Sequence, residues 1–176
     1  MLKNFILPIL NKLILKRKKV ERITLNYKDA RNIGIMFNLP TLKDKSKNER
    51  NLESLKNFVK KLKDNGKKVQ GLTFDNKNSP YNFKHYYFAS REITYLRSLR
   101  SENVKKFINN DFDYLFCIDI KPSYVFHNIL ARSKAKCRIG KYDINKINYF
   151  ELMIKINDTD GIDVLIDQMN HYTQEL

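Results

Sequence analysis

Apolar positions along this chain follow two rhythms. The runs Ile33-Gly34-Ile35-Met36-Phe37 and Tyr114-Leu115-Phe116-Cys117-Ile118 contain no polar alternation, which predicts strands buried on both faces of a sheet. Lys68–Phe74, Tyr86–Phe88, Cys137–Gly140 and Leu152–Ile156 predict four more strands. Between them the period becomes helical: Leu52, Leu55, Phe58, Val59 and Leu62 make one stripe, with Lys56, Lys60, Lys61 and Lys63 on the remaining faces. Ser46 and Glu49 match a capping box at its start, and Asn65-Gly66 marks its stop. Ser101 is placed to cap a helix through Val104, Phe107 and Ile108. Pro122 suits the first turn of a helix carrying Val125, Phe126, Ile129 and Leu130. Asp160 opens a last helix with Ile162, Leu165, Ile166 and Met169 inward. Strands alternating with helices predict an α/β fold over residues 23–176: one Rossmann-like domain, a mainly parallel sheet with helices on both faces.

Residues 1–22 follow another pattern. Leu2, Phe5, Ile6, Ile9, Leu10 and Leu13 recur at helical spacing, leaving Lys3, Lys12 and Lys16 largely elsewhere. The expectation is a basic amphipathic N-terminal helix that Pro8 kinks or restarts. Its apolar part is shorter than the roughly 20 residues that span a bilayer, and no small-residue cleavage site follows it. Three readings stand open: the helix lies in a membrane interface, docks on nucleic acid, or packs its apolar stripe on the domain with its charges in water.

Charge sharpens that picture. The 34 Lys and Arg outnumber 19 Asp and Glu, a net +15, while 42% hydrophobic and 12% aromatic residues exclude a disordered chain. A composition rich in Lys, Asn, Ile and Tyr is also what coding bias produces, although bias alone would not remove acids. The basicity is densest at the N-terminus, where Lys3, Lys12, Lys16, Arg17, Lys18, Lys19 and Arg22 face a single acid, Glu21. Lys12, Lys16, Arg17, Lys18, Lys19 and Arg22 are therefore the expected polyanion contacts. The expected partner is RNA or the ribosome in the cytoplasm. An anionic membrane surface is the alternative, with the protein peripheral to the inner membrane.

Catalytic chemistry is harder to find. Cys117 and Cys137 lie among apolar neighbours without metal or redox spacing, and His85, His127 and His171 are dispersed, so each is read as structural or surface. No dinucleotide glycine loop, phosphate-binding loop or nucleophile elbow occurs, and 5 glycines offer little room for a pyrophosphate. No cofactor and no metal are expected. In an open parallel sheet, ligands bind beyond the carboxyl ends of the strands. There the candidates are Asn38, Asp75, Asp119, Lys121, Ser123 and the Gly140-Lys141 turn. Lys121 and Ser123 could hold an anion at a helix start, and Asp119 either contacts a ribose or caps the helix.

Phe112-Asp113-Tyr114-Leu115 leading to Ile118-Asp119, and then Leu130-Ala131-Arg132-Ser133-Lys134-Ala135-Lys136-Cys137-Arg138-Ile139-Gly140, resembles the N-terminal half of lipopolysaccharide heptosyltransferases. The resemblance implies a Rossmann-like half-domain. Asn38-Leu39-Pro40-Thr41 stands where that family has a Gly-Asp loop, and its donor-binding half has no counterpart in this sequence. The chain also resembles an uncharacterised family of small basic Bacteroidetes proteins, through its apolar-basic N-terminus, Asn32-Ile33-Gly34-Ile35-Met36-Phe37-Asn38, Ser133-Lys134-Ala135-Lys136 and Gly140-Lys141-Tyr142. The expected function is non-catalytic binding of a polyanion, RNA first. A degenerate glycosyltransferase-like domain holding a nucleotide or sugar phosphate is one alternative, and membrane attachment the other.

Overall fold

The computed structural model describes residues 3–17, 20–38, 45–74, 85–88 and 101–176, with the backbone alone at 3–8, 17, 45 and 74. Its described strands are β1 (Asn32–Phe37), β2 (Lys68–Phe74), β3 (His85–Phe88), β4 (Tyr114–Ile118), β5 (Cys137–Lys141) and β6 (Leu152–Ile154). They form one sheet in the order β3-β2-β1-β4-β5-β6, with every neighbouring pair parallel. Ile33 stands between Val69 and Tyr114 in that register. The order reverses between β1 and β4, as in doubly wound Rossmann-like sheets.

The unbroken apolar runs are explained by what covers each face. Successive side chains of a strand point to opposite sides. Ile33, Ile35, Phe37, Tyr114, Phe116, Ile118 and Ile139 pack with α2 (Lys45–Asp64) and α5 (Ile162–Gln174). Met36, Leu72, Leu115 and Cys117 pack with α3 (Glu102–Asn109) and α4 (Tyr124–Arg132). Helices therefore cover both faces, and α1 (Lys3–Arg17) lies against α4 outside them.

Helix ends agree with sequence patterning in part. α2 stops as expected: Gly66 at φ +73° donates to the Lys63 carbonyl at 2.8 Å, and Lys67 donates to Leu62 at 3.0 Å, a Schellman arrangement. Its start differs, because the helix already runs at Lys45 and Ser46 sits inside its first turn. Ser101 holds the cap position of α3, but its hydroxyl is buried without a hydrogen-bond partner. Ser123, one residue after Pro122, caps α4 by accepting from the Phe126 amide at 3.3 Å. Gly161 precedes α5, while the Asp160 carboxylate holds the turn before it by accepting from the Asn157 amide at 2.7 Å. β6 ends at Ile154, two residues short of expectation. A 3-10 helix, Ile144–Tyr149, joins β5 to β6 and was not predicted. The Phe150 ring covers Gly140 so closely that an added Cβ would come within 2.3 Å of it.

α1 is a helix that runs through Pro8, but its docked side is not the predicted stripe. Leu10 and Asn11 are buried, Ile14 and Leu15 are half-buried, and Ile9 and Leu13 remain 61% and 44% exposed. Hydrogen bonding gives the reason. Asn11 donates to the Tyr124 carbonyl at 3.2 Å and accepts from the Asn128 side chain at 2.6 Å. A buried amide left without partners costs about 1–3 kcal/mol, so these bonds set the rotation of the helix.

Candidate anion-binding site

The carboxyl ends of β4 and β5 open into a pocket of about 410 Å³ that includes Lys121, Pro122, His127, Lys141, Asp143 and Lys146 in its wall. Each lysine arrives by a different route. Lys121 follows β4 in the turn leading to α4, Lys141 ends β5, and Lys146 comes from the 3-10 helix. Lys121 is exposed and has no ion-pair partner among the described residues. Among the described residues Lys141 reaches one carboxylate, that of Asp158 at 4.0 Å, which is fully in water. Lys146 lies over the Tyr124 ring, 5.5 Å from its centroid. The acid in the wall, Asp143, is engaged elsewhere, accepting from the Asn145 amide at 2.9 Å as the cap of the 3-10 helix.

Pro122 before α4 and His127 within it line the same pocket. Helix geometry leaves the first amides of α4 without intrahelical partners. Ser123 satisfies the Phe126 amide, so Tyr124 and Val125 keep donors at a positive helix end. His127, one turn further, is 3% exposed, with its ring centroid 4.6 Å from that of Tyr149. Its Nδ1 is buried without a hydrogen-bond partner. Burial, reinforced by Lys146, pushes its pKa down to about 4 against weaker pulls from the Ser123 carbonyl and Asp143, so the ring is neutral at pH 7.

The other residues expected at strand ends hold the backbone. The Asn38 side chain donates to Asp119 at 3.5 Å, and Asp119 accepts from the Lys121 amide at 2.8 Å. Burial raises the Asp119 pKa, and these two donors partly offset that rise. The pair ties β1 to the β4–α4 turn at the point where strand order reverses, and so fixes the backbone that carries Lys121. Ser123 serves as a cap. Asp75 lies outside the described residues.

The N-terminal cations separate into three groups. Lys12 and Lys16 are exposed on α1; Lys18 and Lys19, and the side chain of Arg17, lie outside the described residues. Arg22 is a clamp. Its guanidinium donates to the Ala135 carbonyl and to that of Ser133 at 3.1 Å, and it stands 3.9 Å from Glu151. Burial, with Arg138 nearby, lowers its pKa to about 10.

Sequence reading found Lys121 and Lys141 but missed Lys146 and the placement of His127. Neither carried a periodic or motif signal, since both depend on how the 3-10 helix folds across α4. The arrangement offers positive charge and a buried neutral imidazole around one space, a setting suited to an anion. No curated protein and no solved structure matches the chain at a significant level. One family model, described as a family of unknown function (DUF6913), matches residues 3–176, and the chain belongs to that family.

Proposed function

We propose that this protein is a non-catalytic binder of phosphate-bearing ligands, with the phosphate received between α4 and the 3-10 helix. The observation that carries the reading is the presence of Lys121, Lys141 and Lys146 in the wall of one pocket beside α4. Ammonium groups that line one pocket repel one another, and a phosphate dianion between them turns that repulsion into attraction. A volume of about 410 Å³ lies within the usual range of small-ligand pockets and suits a nucleotide or sugar phosphate. RNA, including ribosomal RNA, presents the same chemistry along a backbone, and the net +15 supports it.

Calorimetry of the full chain with inorganic pyrophosphate, a nucleoside diphosphate and a short RNA distinguishes these sources. The small phosphates are expected to bind saturably and to lose about tenfold in affinity for each of Lys121→Ala and Lys146→Ala. RNA as the ligand would give an affinity falling steeply between low and moderate salt. Absence of saturable binding to all three, or binding unaffected by the lysine variants, overturns the reading.

A further inference from the structure

The bonds of Asn11 to Tyr124 and Asn128 determine which side of α1 meets the protein. The opposite side carries Ile9 and Leu13, one turn apart and 61% and 44% exposed, with Lys12 and Lys16 exposed beside them. A rotation that buried Ile9 and Leu13 would remove Asn11 from both partners, so the polar contact holds the apolar pair in solvent. These four side chains border an open groove of about 710 Å³ that Ala131, Arg22 and Arg138 of the domain also line.

We infer that this outer side of α1 docks on an anionic lipid surface. An interfacial helix places apolar side chains at the boundary of the acyl chains and lysines among the phosphates, which matches the mixture seen here. A nucleic-acid backbone would satisfy Lys12 and Lys16 but leave Ile9 and Leu13 against charge. A second copy would cover the apolar pair, yet a two-fold contact between equivalent faces brings these lysines towards their own counterparts. No described helix is long and apolar enough to cross a membrane, so the contact is with the surface. The inference is independent of the phosphate pocket.

Sedimentation of the full chain with phosphatidylcholine vesicles, with and without phosphatidylglycerol, tests it. Binding is expected only with the anionic lipid, reduced at least about tenfold by Ile9→Asp with Leu13→Asp and less by Lys12→Glu with Lys16→Glu. The pocket variants Lys121→Ala and Lys146→Ala are expected to leave vesicle binding unchanged. The chain contains no tryptophan, so Ile9→Trp supplies a single reporter whose emission should shift to the blue on anionic vesicles. An emission that does not move overturns the inference. A dimer in lipid-free solution that Ile9→Asp dissolves overturns it too, because the face would then belong to a second copy.

Discussion

The two ends of the sheet treat positive charge in opposite ways. At the amino ends of the strands, the cations drawn out of water have fixed acceptors, while Arg31 and Lys68 stand exposed. Arg138, 4% exposed, donates to both carboxylate oxygens of Glu151 at 3.0 and 2.6 Å and to the Leu130 and Asn148 carbonyls at 3.2 Å each. Lys136 meets Asp113 at 2.7 Å, and buried Lys67 donates to the Ala30 carbonyl at 2.7 Å with its ammonium 4.4 Å from the Tyr27 ring centroid. At the carboxyl ends, Lys121, Lys141 and Lys146 share one pocket with the Asp143 carboxylate in its wall, a more distant carboxylate, Asp158, and an aromatic face. The difference teaches how to sort cations in a basic protein. A charge removed from water needs partners to be tolerated, so partnered cations belong to the fold. Clustered ones without such partners raise the energy of the free protein and are relieved by an incoming anion.

Substitution at the amino end should give the largest effect. Arg138→Ala removes the guanidinium from Glu151 and from two carbonyls, leaving the carboxylate only the residue-138 amide at 2.8 Å and Arg22 at 3.9 Å, and a loss of about 3 kcal/mol is expected from urea unfolding. A loss below about 1 kcal/mol would break the distinction between the two ends.

Asp113→Asn comes next, at about 1–3 kcal/mol. This carboxylate accepts from the Arg31 and Asn32 amides at 2.7 and 2.9 Å and from Lys136. Burial alone would raise its pKa, but the hydrogen bonds from Asn32, Lys136 and Arg31 outweigh burial and hold it below the usual value. Its stabilisation is therefore complete above the unfolded carboxylate pKa, near 4, and is lost as pH falls through the lower folded value. Unfolding midpoints measured against pH should show a flatter acid limb in the variant.

The smallest effect on stability is expected at the carboxyl end. Replacing Lys121, Lys141 and Lys146 together by alanine should move unfolding free energy by less than about 0.5 kcal/mol, while abolishing phosphate binding. A strongly destabilised triple variant would place these lysines with the structural cations.

Much of this contrast was legible in the sequence, though unevenly. The apolar runs of β1 and β4 located the centre of the sheet, and the strand-end rule brought Lys121 and Lys141 forward. The same rule selected Asn38 and Asp119, whose side chains turned out to bond to one another, since position along a strand does not reveal orientation across it. Arg22 looked like part of a basic run because its acceptors, Ser133 and Ala135, lie far away in sequence. α1 was harder still. With apolar residues on every side, its rotation rests on Asn11, whose only trace in the sequence was an interruption. Lys146 and His127 were hidden for another reason: the 3-10 helix that joins them into the pocket wall has no hydrophobic period to betray it.

The seat of α1 also has a consequence in time. Asn11 is separated from Tyr124 and Asn128 by 113 and 117 residues. At a synthesis rate of about 5–20 residues per second, α1 leaves the ribosome roughly 6–23 s before the helix that will hold it. During that interval both of its apolar sides are uncovered, and any lipid surface or chaperone within reach meets it before α4 does. Docking on the domain is thus a late event in the life of the nascent chain, and the order of encounters is written into the distance between two asparagines.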